Sequence, residues 1–408
     1  MEVDAYGGEG VTSTTHRGRW TPEDKADGSY HYLPVDVPAG AESFSVRLSY
    51  DSAAGVLDLG CVGPGGFRGW SGSARRGYVI GRAHATPGYL PGALEAGTWH
   101  VLLGLHRVPP EGVSYEVVAE TDGKGPEAPT LPVVPPSERP PRRELPASPG
   151  QRWLAGDLHA HTVHSDGAAT PAELAGIARG QGLDFLAVTD HNTVSHHADL
   201  AKAGAHAGVL LLPGQEMTTE RGHANAFGDV GWIDFREPAE TWFAETEKRG
   251  GLLSVNHPIC ADCSWLHPMP RRPPLAEVWH ASWLDRRWSG PLAWWYAWDD
   301  TVVPVGGSDW HGPASHTFLG QPTTWVECGD GDVLAGLRAG RVALSADYEG
   351  PVLLRCEGEL VVVGADGAFL VDREGRRRRV RGELARFAGT PGPYRLEDDT
   401  SATLALTP

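Results

Sequence analysis

The stretch Gly156-Asp157-Leu158-His159-Ala160-His161 decides the fold of this chain, because it ends an apolar run with two histidines one residue apart. On extended backbone, alternate side chains point to the same face, so both imidazoles lie on one side. The pair begins a series of nine ligand-type residues: His159, His161, Asp166, His191, Glu216, His223, His257, Asp309 and His311. Imidazole and carboxylate are common ligands of zinc, iron and manganese, and one tetrahedral site takes only four ligands. The series therefore predicts a centre of two or three divalent ions, Mn, Fe or Zn.

The segment after Gln151 alternates apolar, strand-like runs with helix-like runs. Thr170-Pro171-Ala172-Glu173 predicts a helix start, with a capping threonine, a first-turn proline and a glutamate that closes the capping box. This helix should end near Gly180. Apolar strands are predicted at Phe185–Thr189, Val209–Leu212, Leu252–Val255 and Val302–Val305. Ligand-type residues follow each strand, and active-site residues gather at the C-terminal ends of parallel strands in β/α barrels. We therefore expect the ligands to converge at one mouth.

The 408 residues exceed one ordinary core, and their composition divides the chain into four segments. Residues 1–122 show short apolar runs between turn residues, which predicts a β-sandwich-like domain that shapes or assembles the protein without performing chemistry. Residues 123–150 contain nine prolines and predict a semi-rigid linker. Residues 151–349 predict a metallohydrolase domain with a barrel-like arrangement of alternating strands and helices, and residues 350–408 predict a β-rich C-terminal extension.

Strands are also predicted in the flanking segments. Those of the first segment are Tyr30–Val37, Ser43–Tyr50, Gly55–Cys61, Thr98–Leu105 and Val113–Glu120. In the last segment, Ala365-Asp366-Gly367 is expected to form a hairpin turn between Glu359–Val363 and Ala368–Val371.

Charge and cysteine content exclude several classes of partner. The net charge of −17 disfavours broad contact with nucleic acid or an anionic membrane, whose phosphates need a basic surface. We find no signal-peptide pattern near Met1 and no apolar run of transmembrane length, so we expect a cytoplasmic protein with a small-molecule substrate. Homo-oligomer formation is left open. Five cysteines are too few for a disulfide framework, and the Cys260-x-x-Cys263 pair lacks the second pair that a zinc knuckle needs, so neither zinc binding nor a redox role is expected of it.

Six ordered motifs carry a family resemblance. They are His159-Ala160-His161 with Ser165-Asp166-Gly167, Thr189-Asp190-His191-Asn192, Gly214-Gln215-Glu216, Gly222-His223-Ala224-Asn225, Asn256-His257-Pro258 and Gly307-Ser308-Asp309-Trp310-His311. Over residues 155–345 they resemble the PHP (polymerase and histidinol phosphatase) superfamily. The β-rich first segment and the loop that carries His223 most resemble the branch that includes carbamate-insecticide hydrolases (CehA/McbA type). The resemblance implies a multidomain α/β plus β fold whose hydrolase domain is a distorted (β/α)7 barrel.

The resemblance also implies roles for individual residues. By analogy, the first metal would be held by His159, His161, Glu216 and Asp309, the second by Glu216, His223 and His257, and the third by Asp166, His191 and His311. Catalytic roles are expected for Glu216, Asp309, His191 and His280. Supporting or substrate contacts are expected from Asp190, Asn192, Arg221, Asn256 and Trp310. Trp310 stands where the family usually has a small residue, so it is expected to narrow the pocket.

This set of residues favours hydrolysis. Adjacent cations polarise a phosphoryl or carbonyl oxygen and lower the pKa of a bridging water, so that hydroxide forms near neutral pH. The main interpretation is a metal-dependent phosphoesterase that acts on a small phosphorylated metabolite or phosphodiester. One alternative is a carbamate, amide or ester hydrolase with the same metals, and eight tryptophans between residues 265 and 310 mildly favour an aromatic substrate. The other alternative is a non-catalytic metal-binding or interaction module.

Overall fold

The computed structural model describes residues 2–8, 11–122, 135 and 137–408. Within them the chain is mostly sheet, with six short helices. It divides into two compact units, residues 1–133 with 163–166 (unit 1) and residues 134–162 with 167–408 (unit 2). Most of the predicted linker, residues 123–134 and 136, lies outside the described residues.

Unit 1 contains nine strands and one helix among its described residues. The strands are β1 (Glu2–Gly8), β2 (Val11–Trp20), β3 (Tyr30–Val37), β4 (Ser43–Tyr50), β5 (Val56–Gly63), β6 (Gly66–Gly72), β7 (Gly77–Gly81), β8 (Gly97–Arg107) and β9 (Val113–Asp122), and helix α1 is Pro22–Asp27. Antiparallel pairing gives a sheet in the order β1-β2-β9-β4-β7 and a second sheet in the order β3-β8-β5-β6. Alternate residues of both sheets, such as Val35 and Val46, share one hydrophobic core. The five strands predicted in this segment are confirmed, with ends within two residues.

Unit 2 contains the remaining elements. Its helices are α2 (Pro171–Gly180), α3 (His197–Ala207), α4 (Ala239–Lys248), α5 (Gly290–Asp299) and α6 (Val333–Arg338). Its first strands are β10 (Arg152–Asp157), β11 (Phe185–Val188), β12 (Leu210–Thr219), β13 (Gly222–Phe227), β14 (Leu252–Val255), β15 (Leu275–His280), β16 (Val303–Gly307), β17 (Thr323–Cys328) and β18 (Val342–Ser345). Its last strands are β19 (Val352–Cys356), β20 (Glu359–Val363), β21 (Phe369–Asp372), β22 (Arg377–Arg379), β23 (Leu384–Ala388), β24 (Tyr394–Glu397) and β25 (Thr403–Thr407).

One sheet runs through unit 2 in the order β16-β15-β14-β13-β12-β11-β10-β17-β18-β25-β24-β21-β22. Strands β10, β11 and β12 are parallel, as are β14, β15 and β16, while β13 is antiparallel to both of its neighbours. All six parallel-running strands therefore share one direction, and their carboxyl ends lie at one edge of the sheet. Every residue of β11 and β14 is buried, as expected of strands covered on both faces.

Helix α2 begins as the sequence predicts. Thr170 is the N-cap and its side chain accepts from the Glu173 backbone N–H at 3.3 Å, while the Glu173 carboxylate accepts from the Thr170 N–H at 2.8 Å. A cap of this kind stabilises a helix by about 1 kcal/mol. The helix ends at Gly180, as expected.

The predicted hairpin through residues 365–367 is wrong. Strand β20 pairs with β19 and β23 in a separate three-stranded sheet, whereas β21 pairs with β22 and β24. Both strands carry apolar side chains, and Leu360, Val362 and Leu370 lie in one buried cluster. The strands therefore bury their apolar faces against each other, and the turn at Asp366 joins two stacked sheets.

The family resemblance places His223 in a loop, but in the structure His223 lies in strand β13. The closed (β/α)7 barrel and the N-terminal sandwich stay predictions. None of the helices that the structure describes is long and apolar enough to span a bilayer.

Candidate metal centre

The two histidines that open the series follow β10 and are fixed by backbone pairing. Ala160, between them, bridges to Trp310, and the His161 N–H donates to the Trp310 carbonyl at 3.0 Å. This bridge holds the His159–His161 segment beside the segment that carries Asp309 and His311. Two distant parts of the chain are thus brought to one point.

The carboxylate of Glu216 is the centre of the site. It is fully buried in β12. Five imidazole nitrogens surround it. Oε1 lies 3.2 Å from Nε2 of His159, 3.3 Å from Nδ1 of His223 and 3.4 Å from Nε2 of His257. Oε2 lies 2.7 Å from Nδ1 of His191 and 3.6 Å from Nε2 of His161. Burial alone would raise the pKa of this carboxyl, but the facing histidines hold it well below its usual value. Glu216 therefore stays ionised, with both oxygens directed at imidazoles.

Asp309 is the second carboxylate of the centre. Its Oδ1 lies 3.2 Å from Nε2 of His159 and 3.0 Å from Nε2 of His161, and its Oδ2 lies 3.4 Å from Nε2 of His280. Burial would raise its pKa, but His159 and the hydrogen bond from His161 lower it strongly. His280, which was selected from the sequence as a catalytic candidate, is thus at the edge of the same cluster.

All nine sequence-predicted ligands come together. Ligand atoms lie within 4.8 Å of one another in four groups: His159, His161 and Glu216; His159, His257 and Asp309; Glu216, His223 and His257; and His161, Asp166, His191 and His311. Glu216 belongs to two of the groups, as expected of a residue that bridges ions. The metal-ligand roles themselves are taken up as a proposal below.

Two buried nitrogens show that this cluster fits a cation. The Nδ1 atom of His159 lies 3.1 Å from Oε1 of Glu277, and because a carboxylate can only accept, His159 donates there. That leaves Nε2 of His159 directed at Glu216 and Asp309, and this atom is buried without a hydrogen-bond partner among the described residues. Nδ1 of His223 faces Oε1 of Glu216 and is likewise buried without a hydrogen-bond partner among the described residues. Lone pairs of nitrogen and oxygen directed at one point are stable only around a positive charge.

The histidine pKa values agree with this interpretation. Burial lowers the pKa of His159, but the charges of Glu216, Asp309 and Glu277 outweigh it and raise the pKa well above its usual value. Burial and the neighbouring His311 and His191 rings together lower the pKa of His161 to about 4. The centre therefore favours one positive charge beside the carboxylates, with a neutral imidazole next to it.

Strained backbone accompanies these side chains. Asn192, His257 and Asp309 have φ values of 57°, 25° and 50°, and they are three of the six non-glycine residues with positive φ in the described chain. Such conformations cost about 1–3 kcal/mol each and persist only where the surroundings impose them. The strain is thus concentrated at the candidate centre.

Sequence reasoning missed Glu277, which supports two of the histidines. Its Oε1 accepts from His159, as described, and its Oε2 accepts from the His257 backbone N–H at 2.7 Å. A Cβ at Gly307 would overlap the Glu277 carboxylate, so only glycine leaves room for this contact. A charged residue within the apolar strand β15 was the available signal.

Asp157 was also missed, although it opens the deciding stretch. Its Oδ1 accepts from the backbone N–H groups of His159 at 3.1 Å and Ser308 at 3.0 Å, and its Oδ2 accepts from that of Gly320 at 2.8 Å. Asp157 therefore connects the segment that carries His159 and His161 with the segment that carries Asp309 and His311.

Three residues predicted to support the centre make direct supporting contacts. The Asn256 side chain donates to Oε1 of Glu216 at 2.8 Å. Asp190 is buried and accepts from the Thr162 N–H and hydroxyl at 2.8 and 2.6 Å. Asn192 exchanges hydrogen bonds with the Thr218 backbone at 3.1 and 2.8 Å, and the Thr218 hydroxyl lies 2.6 Å from Nδ1 of His191.

The two remaining predicted contact residues lie further out. Arg221 is exposed and donates to the Leu266 carbonyl at 3.1 Å. Trp310 is 4% exposed and packs in a hydrophobic cluster with Ala160 and Leu186, which supports a packing role for its ring.

Glu277→Gln is expected to weaken metal binding by about 10–100-fold, because the amide cannot fix the His159 ring as the carboxylate does. Titration against a chromophoric chelator measures this change. Glu327→Gln is the matched control, since Glu327 is also buried and accepts from a backbone N–H, that of Ser148 at 2.7 Å, but makes none of the contacts with His159 and His257 that Glu277 makes. Equal metal affinity in both variants would contradict the role given to Glu277.

Comparisons with known proteins place the centre in a family context. Residues 157–256 match the family model of the PHP domain. Over 125 residues the chain is 29% identical to an uncharacterised protein of Methanocaldococcus jannaschii, a match that covers 28% of this chain and 72% of that protein. It is 39% identical over 84 residues to a 3',5'-nucleoside bisphosphate phosphatase of Chromobacterium violaceum, covering 20% of this chain and 29% of the phosphatase.

Two further similarities are to an exoribonuclease, over a short segment, and to a solved structure, at low sequence identity. A 5'-3' exoribonuclease of Haemophilus influenzae is 38% identical over 63 residues, which are 15% of this chain and 23% of the nuclease. The chain thus spans less than a third of either named enzyme. A solved structure of a two-domain protein of Bacteroides vulgatus, described as containing a predicted PHP-like metal-dependent phosphoesterase, aligns over 67% of this chain and 99% of its own, with 18% identity and a TM-score of 0.44.

The branch of carbamate-insecticide hydrolases stays a prediction. The matched segment contains six of the nine predicted ligands, from His159 to His223. The motifs and the family-model match together make residues 157–256 similar to the PHP domain.

Proposed function

We propose that this chain hydrolyses phosphate esters of small molecules at a centre of two or three divalent ions. The observation that carries the proposal is the buried Glu216 carboxylate, whose two oxygens face five imidazole nitrogens. Such a residue suits the bridging position of a two-ion site. The named relatives, a phosphatase and an exoribonuclease, support phosphoester chemistry.

The residues fit the proposed ions in three sets. By the family resemblance, His159, His161, Glu216 and Asp309 would hold the first ion, Glu216, His223 and His257 the second, and Asp166, His191 and His311 the third. The second and third sets each lie within one group of converging ligand atoms, whereas the first combines members of two groups, one with Glu216 and one with Asp309. When bound, such ions polarise a phosphoryl oxygen and lower the pKa of a bound water. Mn, Fe and Zn all accept this mixture of imidazole and carboxylate.

The chain itself contributes position and charge. Glu277 fixes the tautomer of His159 by accepting from Nδ1, which keeps the Nε2 lone pair directed at the centre. Asn256 donates to Oε1 of Glu216 and so sets the plane of that carboxylate. His280, 3.4 Å from Oδ2 of Asp309, is placed to hold or donate a proton at the edge of the centre.

A cavity beside the centre favours an aryl group in the substrate. It has a volume of about 230 Å³, and His257, Glu277 and His280 form its polar side. Its apolar walls include Trp283, Trp288 and Trp294. Among the described residues that line it, none is Lys or Arg, so it suits a neutral aromatic group better than a second phosphate. This feature keeps an aryl carbamate or ester as the second candidate substrate.

A substrate screen tests the proposal. Metal-reconstituted protein should hydrolyse phenyl phosphate, glycerol phosphate and a bis-aryl phosphodiester, and metal-free protein should hydrolyse none of them. Burial of a phenyl ring contributes about 1.5–3 kcal/mol, so kcat/KM for phenyl phosphate should exceed that for glycerol phosphate by about 10-fold or more.

The other outcomes of the screen discriminate between the candidates. Hydrolysis of a phenyl carbamate without hydrolysis of any phosphate ester would replace the phosphoesterase by the second candidate. Metal binding without turnover of any compound would favour the non-catalytic alternative.

A further inference from the structure

The cysteine loop, residues 258–266, contributes Cys260 to the wall of the cavity described above, but no role has yet been given to its two thiols. It follows His257 directly and contains Cys260 and Cys263, both partly exposed thiols. Ligand atoms of Cys260, Asp262 and Cys263 lie within 4.8 Å of one another. The other three cysteines, Cys61, Cys328 and Cys356, are buried and belong to separate parts of the chain. The loop therefore holds a close pair of thiols at the surface beside the centre.

The chain between the two cysteines suits a disulfide. Residues 261–263 form a turn. A turn of four residues keeps its first and last Cα atoms within about 7 Å. A disulfide joins Cα atoms about 4.4–6.8 Å apart, so a bond between the two thiols is within the reach of this turn.

A metal is a poorer occupant of this loop. The group offers three ligand atoms, and its carboxylate, Asp262, is exposed. A structural zinc site takes four ligands and is closed to solvent. Two neighbouring thiols with an incomplete ligand set favour oxidation over metal binding.

Both ends of the cysteine loop are tied to proposed ligands of the second ion. At one end the Cys260 N–H donates to the His257 carbonyl at 2.9 Å. At the other end the Leu266 N–H donates to the Arg221 carbonyl at 2.7 Å, two residues before His223. A Cβ at Gly222 would lie 2.8 Å from Cα of Trp265, so the loop packs directly on the start of β13. Movement of the loop is thus transmitted to His257 and His223.

We propose that Cys260 and Cys263 are a redox-sensitive pair, and that their disulfide weakens binding of the ion held by Glu216, His223 and His257. This inference rests on the proposed function for the existence of that ion site. In the reaction with glutathione disulfide, the S–S bond of glutathione breaks and the Cys260–Cys263 bond forms. The two protein thiols lose two electrons and two protons, which reduce glutathione disulfide to two molecules of glutathione.

The effect on the ion site follows from the backbone at His257. Closing the bond brings the sulfurs to about 2.05 Å and draws Cys260 toward Cys263. Cys260 is hydrogen-bonded to His257, whose φ of 25° is a conformation that only its surroundings maintain. A shift of the loop therefore reorients a ligand that has little freedom to adapt.

The experiment uses the full-length, metal-free protein and glutathione disulfide. Intact mass should fall by two hydrogens without addition of glutathione, and peptide mapping should place the bond between Cys260 and Cys263. Calorimetric titration with Zn²⁺ should then show one class of sites weakened by about 10-fold or more, the size expected when support of a ligand is lost. Dithiothreitol should restore the original affinity.

Two serine variants make the test specific. Cys263→Ser should bind Zn²⁺ like the reduced protein and should not respond to glutathione disulfide. Cys356→Ser, which removes a buried cysteine outside the loop, should respond like the unmodified chain.

The failures of the two proposals are distinguishable. Absence of the Cys260–Cys263 bond, or its formation with unchanged Zn²⁺ affinity, overturns the redox inference. Absence of Zn²⁺ binding in the reduced protein overturns the metal centre itself, whatever the state of the thiols.

Discussion

Glu216→Gln is expected to remove metal-dependent hydrolysis and to lower the metal content of the purified protein. The glutamine has nearly the same size but no charge, so the centre loses the carboxylate around which five imidazole nitrogens are arranged. Because Glu216 belongs to two ligand groups, its loss should affect two ions at once. The fall in kcat/KM should exceed the roughly 10–100-fold loss typical of a residue that only supports a ligand. Steady-state kinetics and elemental analysis measure both effects.

Asp190→Asn is the matched comparison for this experiment. Asp190 is also a fully buried carboxylate, but it accepts hydrogen bonds from Thr162 and belongs to none of the ligand groups found among the described residues. The kcat/KM of the Asp190→Asn variant should fall by no more than about 10–100-fold, the loss typical of a residue that only supports a ligand. Circular dichroism should show that both variants keep the fold. Equal and mild losses in two folded variants would remove Glu216 from the bridging role.

Chelation is expected to abolish hydrolysis, and reconstitution is expected to restore it with two or three divalent ions per chain. The nine ligand-type residues come together in overlapping groups, which is more than one tetrahedral site can use. Inductively coupled plasma spectrometry of the reconstituted protein gives the stoichiometry. A single ion at saturation, or full activity after exhaustive chelation, would be incompatible with the proposed centre.

The affinity for these ions should fall as the pH is lowered. The carboxylates around His159 raise its pKa well above the usual value, so the ring carries a proton that a cation must displace. Metal binding therefore releases protons, and excess protons compete with it. His161, with a pKa of about 4, is already neutral at neutral pH and adds little to this dependence.

The sequence predicts those parts of the fold that depend on local patterns. The capping box at Thr170 fixes the start of α2 through contacts within four residues, and the apolar run at β14 has the predicted ends. The hairpin through Asp366 could not be predicted correctly, because turn residues indicate a reversal of the chain but not which strands then pair. Strand β20 pairs with β19 and β23, and β21 pairs with β22 and β24, and the turn residues carry no information about these partners.

A similar limit applies to the candidate site. The ligands stand out because histidines and carboxylates recur after successive predicted strands, and the structure brings all nine together. The end predicted for one strand, Leu212, is wrong, because β12 continues to Thr219 and contains Glu216. Glu277 gives only the weak signal of one charge in an apolar run, and Asp157 gives none, because the role of a single acidic residue depends on its partners. Their roles depend on contacts with His159 and Ser308 across 118 and 151 positions of the chain.

Glu216 lies where the parallel half of the sheet meets the antiparallel strand β13, and its backbone is held on both sides. It is paired with Asn225 on one side and bridged to His191 on the other. The middle of the centre thus belongs to the scaffold, while the tryptophan-walled cavity is lined largely by connecting segments beyond the strands. Substitutions of the tryptophans in those segments, such as Trp283 and Trp288, can therefore change which molecules fit the cavity without altering the strand pairing that holds Glu216. Such an arrangement makes the chain a suitable starting point for directed evolution toward new substrates.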